Sequence, residues 1–184
     1  MDKKDEIRRK LTRNNEDDHS IFKVLELCRD IELKVSDLYL YFSDLFKSNT
    51  QMSALWKKTS QEEDNHAKQF ELAIKLVKQD ALDSVSINIM EVEKYLKIIE
   101  LEYDRAINDP PSFLDALKMA INAENLFLKL HMTSIASFTD LSYQELFNAM
   151  MKHDKEHIET LSDAYNNLTA LKGTNMTRLT ACLG

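Results

Sequence analysis

Glycine and proline are nearly absent from this sequence, with two residues of each among 184. Strands joined by tight turns need these residues, whereas long helices avoid them in their interiors. The shortage therefore predicts an all-α protein. A chain of this length is enough for one domain with a sizeable core, and two domains are not expected.

Other absences exclude several classes of function. The formal net charge of −7 argues against a nucleic-acid partner, which usually requires a basic face. No apolar run approaches the roughly 20 residues of a membrane-spanning helix, so a membrane is not an expected partner. The charged N-terminus lacks the apolar stretch of a signal peptide. Cys28 and Cys182 form no CxxC pair, so neither a zinc ribbon nor a rubredoxin-type iron site is predicted. A reducing, cytoplasmic location is expected.

The spacing of apolar residues divides the chain into three parts. Residues 1–18 are charged and lack apolar periodicity, which predicts either a mobile segment or a short surface helix. Residues 19–170 carry apolar positions at steps of three, four or seven, which predicts a bundle of amphipathic helices. Residues 171–184 form a polar tail.

Four main helices are predicted within this bundle. The first two meet at residues 48–50, where Asn49 or Thr50 can cap the second helix. The last two meet at a break over residues 138–140. The connection between these hairpins, residues 80–111, contains an amphipathic segment of its own. Short turns make antiparallel neighbours, so two hairpins with one long connection predict a one-crossover four-helix bundle.

Polar side chains occupy positions on these helices where core residues are expected. Each helix has an inward carboxylate, and the second and fourth helices add a histidine three residues later on the same face. These residues are Glu32, Glu63, His66, Glu124, Asp154 and His157. Their separations from the two turns place them level across each hairpin, in one layer of the core.

The number of buried ionisable groups predicts a metal site. Burying four carboxylates and two imidazoles without compensation would cost far more than a domain's net stability of about 5–15 kcal/mol. Two divalent cations would balance the charge. Mixed oxygen and nitrogen ligation suits iron or manganese, and zinc is also compatible. A Glu on each of two helices with a Glu-x-x-His on each of the other two is the arrangement of ferritin-like dimetal proteins.

Three segments resemble the motifs of the rubrerythrin-type branch of the ferritin-like superfamily. Residues 32–43, "ELKVSDLYLYFS", are similar to its first-helix pattern E-x6-Y-x-YF-[AS]. Residues 62–70, "EEDNHAKQF", are similar to its second-helix pattern EExxHAxxF. Residues 153–161, "HDKEHIETL", are similar to its fourth-helix pattern EExxHxxxL. The similarity covers roughly residues 20–170.

The resemblance implies a non-haem di-iron oxidoreductase that reduces hydrogen peroxide or dioxygen, with the same six residues as metal ligands. It also implies that Tyr39 hydrogen-bonds a ligand carboxylate and that the protein is a homodimer. The family's rubredoxin domain is missing, so the electron donor is expected to be a separate protein. Two residues depart from the pattern: Asp154 stands in place of a glutamate, and Phe127 stands where rubrerythrins often have an additional glutamate ligand.

Two alternative functions are open at this point. The first is an iron-binding or storage protein with ferroxidase chemistry, although the tail after Gly173 is short for the fifth helix of a 24-subunit cage. The second is a metal-free bundle that serves protein interaction. Metal content separates the second alternative from the others, and the reaction with peroxide separates storage from peroxide reduction.

Several individual residues also have two interpretations. Glu63 and His66, taken alone, could be a surface pair on a charged helix. Cys28 lies one turn from Glu32 and is either redox-active or a small core hydrophobe. His131 is either a hydrogen-bonded core residue or part of a proton relay.

Overall fold

A computed structural model describes residues 3–79, 82–130, 136–138, 141–150 and 158–170. Its helices are α1 (Lys3–Leu45), α2 (Thr50–Val77), α3 (Ile89–Asn108), α4 (Phe113–Phe127), α5 (Leu141–Met150) and α6 (residues 158–170), with a 3-10 turn at Leu128–Leu130. Its strands are β1 (Leu82–Val85) and β2 (Ala136–Phe138). Helices dominate the described chain, which confirms the all-α class, while the short pair of strands was not predicted.

The first helix is longer than the apolar pattern indicated. It covers 43 residues, because the charged N-terminal segment is helical from Lys3 and runs without a break into the apolar part of α1. Leu45 ends this helix, and the turn before α2 falls at the predicted place. Asn49 is the residue that caps α2, since its side chain accepts hydrogen bonds from the backbone N–H groups of Gln51 and Met52 at 3.1 Å each.

Serine pairs join α1 to α2. The Ser36 hydroxyl donates to the backbone oxygen of Ser60 at 3.0 Å, and the Ser43 hydroxyl donates to that of Ser53 at 3.0 Å. In return, the Ser53 hydroxyl donates to the backbone oxygen of Ser43 at 2.9 Å. Both pairs are centred on Ser48, so the two helices run antiparallel in the register predicted for the first hairpin.

The hydrophobic core lies where the apolar stripes predicted it. On α1 and α2 its fully buried members include Leu25, Ile31, Val35, Leu38, Tyr39, Phe42, Trp56, Phe70 and Ala73. On α3 and α4 they include Val92, Ile99, Ala116, Leu117 and Ala120. Each fully buried large apolar side chain contributes about 1.5–3 kcal/mol relative to exposure, so these stripes hold the helices together.

The predicted crossover segment is a helix that packs on α1. The Tyr41 hydroxyl donates to the backbone oxygen of Ala106 at 3.1 Å. The Lys34 ammonium lies 5.0 Å from the ring centroid of Tyr103. Lys34 and Tyr41 are seven residues apart and share one face of α1, which lies opposite the face of Ser36 and Ser43. Helix α3 therefore packs on the side of α1 that faces away from the serine pairs.

The third predicted helix ends earlier than expected. It was predicted to continue to the break over residues 138–140, but α4 ends at Phe127 and the 3-10 turn follows. Farther on, β2 pairs antiparallel with β1. The sequence of residues 133–139, "TSIASFT", is rich in β-branched and hydroxyl side chains that lower helix propensity and favour strands, which accounts for a strand at Ala136–Phe138 in place of the predicted helix.

The fourth predicted helix is described in two parts, α5 and α6, and residues 151–157 lie outside the described chain. The Lys118 ammonium of α4 lies 5.8 Å from the ring centroid of Tyr165 in α6. Helix α6 is therefore a neighbour of α4, as the predicted second hairpin requires.

Replacing Asn49 by alanine should lower the free energy of unfolding by about 1 kcal/mol, because two backbone N–H groups lose their acceptor. Urea unfolding followed by circular dichroism measures the change. Ser48→Ala, next to the cap and exposed, is the matched control and should have little effect. Equal losses in the two variants would contradict the capping role.

Candidate metal centre

Four of the six predicted ligand residues lie in the described chain, and all four are buried. Glu32 on α1, Glu63 and His66 on α2, and Glu124 on α4 are each 7 % exposed or less. Carboxylates are almost never this buried without a partner that balances them. The interpretation of Glu63 and His66 as a surface pair is therefore wrong.

Glu32, Glu63 and His66 form the centre of the site. The His66 Nδ1 atom lies 2.9 Å from Oε2 of Glu63 and 3.7 Å from Oε2 of Glu32. One ligand atom from each residue lies within 4.8 Å of the other two. Glu63 and His66 meet because they are three residues apart on one helix, and Glu32 joins them because the serine-paired hairpin places it at the same level.

Tyr39 and Glu124 form a buried hydrogen bond in the same core. The Tyr39 hydroxyl donates to Oε1 of Glu124 at 2.6 Å, and the tyrosine is completely buried. The hydrogen bond to a carboxylate that the resemblance implied for Tyr39 is thus present. It links α1 to α4 across 85 positions of the sequence.

The electrostatics of the site oppose ionisation of Glu63. Burial raises the pKa of its carboxyl well above the ordinary value, and the negative charge of Glu124 raises that pKa further. The charge of His66 and its hydrogen bond act in the opposite direction, while Glu32 adds a smaller upward effect. The pKa of Tyr39 is also raised, first by burial and then by the charge of Glu124, so its hydroxyl stays a hydrogen-bond donor.

This donor set fits a divalent cation. A metal ion replaces protons on carboxylates and imidazole, so it would compete at Glu63 with the proton that burial and nearby negative charge favour. Oxygen donors with one imidazole nitrogen suit iron, manganese or zinc. The ring nitrogen facing the carboxylates is Nδ1 of His66, which makes it the nitrogen that would bind the ion.

The other two predicted ligands, Asp154 and His157, lie outside the described residues, as does His131. Among the described residues, Glu32, Glu63 and His66 are the group that could share one ion. The assignment of Asp154 and His157 stays a prediction.

Cys28 behaves as a core residue. It is completely buried, and the pKa of its thiol is raised strongly by burial and then by the charge of Glu32. The thiolate is the reactive form of cysteine, and this environment disfavours it. Of the two interpretations, the structure favours the small core hydrophobe.

Sequence reasoning missed how Trp56 relates to the site. The sequence placed Trp56 on an apolar stripe, but its ring centroid lies 5.4 Å from that of Tyr39. A single tryptophan on the same helix as Glu63 and His66, seven residues before the carboxylate, was the available signal. Seven residues are two helical turns, so the two side chains share a face.

Comparisons with protein-family models, with curated proteins and with solved structures found no match to this chain. The geometry of the site therefore carries the functional argument. No helix among the described residues combines the length and the apolar character needed to cross a membrane.

The raised pKa of Glu63 predicts a pH-dependent stability of the metal-free protein. Above the ordinary carboxyl pKa of about 4.3, the folded state holds a proton that the unfolded state has lost, so stability falls as pH rises. In the Glu63→Gln variant, the free energy of unfolding should fall less steeply with pH than in the unmodified protein. The difference in slope should be up to about 1.4 kcal/mol per pH unit. Urea unfolding after treatment with a chelator, at several pH values, measures it.

Glu62→Gln is the control for this experiment, since Glu62 is the adjacent carboxylate and pairs with Lys58 at 3.3 Å on the outer side of α2. Its pH dependence should match that of the unmodified protein. A Glu63→Gln variant with the same pH dependence would show that Glu63 is not the proton-binding group.

Proposed function

We propose that this chain is a rubrerythrin-like non-haem di-iron protein that reduces hydrogen peroxide or dioxygen with electrons from a separate donor protein. The observation that carries the proposal is the convergence of Glu32, Glu63 and His66 in the core, with nitrogen-to-oxygen distances of 2.9 and 3.7 Å. Helical spacing alone produces Glu-x-x-His pairs on many surfaces. A second carboxylate that meets such a pair inside the core is what a metal site requires.

The architecture that we propose is a ferritin-like four-helix bundle of α1, α2, α4 and α6, with α3 as the crossover helix. Support comes from the serine-paired α1–α2 hairpin and from the position of α6 beside α4. Support also comes from the Tyr39–Glu124 hydrogen bond, because it brings a carboxylate of α4 to the same core as the α1–α2 group.

Two iron ions are the proposed cofactor, with Glu32, Glu63, His66 and Glu124 as ligands, and with Asp154 and His157 completing the set. When bound, the iron supplies Lewis acidity and exchangeable electrons. The protein's own side chains would hold the ions within the buried core. Tyr39 orients Glu124 through its hydrogen bond, which is the role that partners of metal ligands commonly have.

Metal binding tests the site directly. Protein loaded anaerobically with ferrous iron and then desalted should retain about two metal ions per chain by elemental analysis, as two-metal sites do. Glu63→Ala should lose most of this metal, because it removes a carboxylate in the middle of the donor set. Glu71→Ala, on the exposed face of the same helix, is the matched control and should retain the metal.

Two metal ions retained by Glu63→Ala would contradict the ligand assignment. Absence of metal from the unmodified protein would favour a metal-free bundle that serves protein interaction. When iron, manganese and zinc are offered together, retention of manganese or zinc in preference to iron would contradict the choice of iron.

The reaction with oxidants tests the function. Stopped-flow mixing of the ferrous protein should show faster oxidation by hydrogen peroxide than by dioxygen, and repeated turnover with an added reductant. Slow oxidation by either oxidant, followed by accumulation of ferric mineral, would instead support iron storage. Glu63→Ala is the control for oxidation of iron that is not bound at the site.

A further inference from the structure

A chain of contacts leads from the candidate metal centre to the only tryptophan of the sequence. Glu124 accepts the hydrogen bond of Tyr39 at 2.6 Å, and the Tyr39 ring centroid lies 5.4 Å from that of Trp56. Tyr39 and Trp56 are both completely buried. The indole is therefore separated from a proposed metal ligand by one tyrosine.

The next rings along this chain are phenylalanines. The Trp56 ring centroid lies 4.9 Å from that of Phe42 and 5.9 Å from that of Phe113. Phenol and indole side chains can lose one electron under biological oxidants, whereas a phenylalanine ring is much harder to oxidise. An oxidising equivalent that leaves the metal centre through Tyr39 would therefore stop at Trp56.

The indole nitrogen of Trp56 has an unusual environment. Among the described residues its Nε1 atom has no hydrogen-bond partner, although the N–H of a buried tryptophan usually has one. Within the described part of the chain, no acceptor is thus positioned to take the indole proton. An oxidised indole would therefore keep that proton.

We propose that Trp56 is a site of oxidative modification, oxidised through Tyr39 when the metal centre reacts with hydrogen peroxide and no electron donor is present. This inference rests on the proposed function. Tyr39 gives one electron to the oxidised centre and its phenolic proton to Glu124. Trp56 then gives one electron to Tyr39, which recovers its proton, and the indole is left one electron short.

The overall reaction balances with peroxide as the oxidant. Loss of a second electron by the same route and addition of water convert the indole to a hydroxylated product, with release of two protons, and the metal centre returns to the oxidation state it had before it met peroxide. Those two electrons and two protons reduce one hydrogen peroxide to two waters. One peroxide is therefore consumed, and one water is formed in net terms, for each oxygen atom added to Trp56.

Peptide mass spectrometry tests the inference without relying on enzyme activity. The iron-loaded protein is exposed to peroxide without a reductant, and a parallel sample loaded with redox-inert zinc corrects for direct oxidation. Trp56 should gain an oxygen atom in the iron-loaded sample and stay unmodified in the zinc-loaded sample. In isotopically labelled water the added oxygen should carry the label.

Two variants test the route. Tyr39→Phe removes the phenol and should reduce Trp56 oxidation, normalised to oxidised iron, to the level of the zinc-loaded sample. Phe113→Leu removes a phenyl ring that contacts the Trp56 indole and leaves Tyr39 in place. Oxidation of Trp56 should be unchanged in this variant. Circular dichroism and iron content establish that each variant is folded and loaded, and the iron-to-zinc comparison in the unmodified protein needs neither variant.

Absorbance in the same samples separates failure of this inference from failure of the proposed function. If peroxide oxidises the bound iron and Trp56 remains intact, or is modified equally in the zinc-loaded sample, the inference is overturned alone. If peroxide leaves the bound iron ferrous, the proposed function fails and the inference fails with it.

Discussion

Ionisation of Glu63 inside the core is opposed by burial and then by the negative charge of Glu124, and only His66 acts strongly in its favour. Assembly of these groups in one place therefore costs free energy that the apolar core must offset. A proton, or a cation that replaces it, lowers that cost. The apolar core therefore has to hold the helices in place around ionisable side chains that do not favour being close together.

The serine pairs of α1 and α2 provide part of that fixed position. A serine side chain is short, so hydroxyls that reach the opposite backbone at 2.9 to 3.0 Å require the two helices to approach closely. Each such hydrogen bond contributes about 0.5–1.5 kcal/mol. Their greater effect is directional, because they select one register among those that apolar packing alone would accept.

Some of this arrangement was accessible from the sequence and some was not. Glu63 and His66 were predictable because helical spacing relates them locally, and Glu32 was predictable because a short turn defines what lies opposite. The acceptor of the Tyr39 hydrogen bond, Glu124, lies 85 positions away, so no local spacing predicts it. The end of α4 at Phe127 was mispredicted, because good helix formers and apolar residues continue beyond it at Leu128 and Leu130.

The contact between Trp56 and Tyr39 could not be predicted from the spacing of apolar residues either. Each residue lies on an apolar stripe of its own helix, and a stripe specifies a face without specifying which rings touch. Ring contact depends on rotamers and on the distance between helix axes, which only the packed structure defines. Contacts of this kind determine which side chains can exchange electrons with a buried site.

The length of the turn between α1 and α2 determines which residues of the two helices lie opposite each other at the site. Ser36 and Ser43 find their partners because a fixed number of residues separates them from Ser60 and Ser53. The turn would have to absorb any residue inserted before Thr50, because a one-residue shift of α2 would rotate it by about 100° and carry Glu63 and His66 out of the core. This turn should therefore resist changes of length during evolution, although its residues are exposed and loops of that kind usually vary freely.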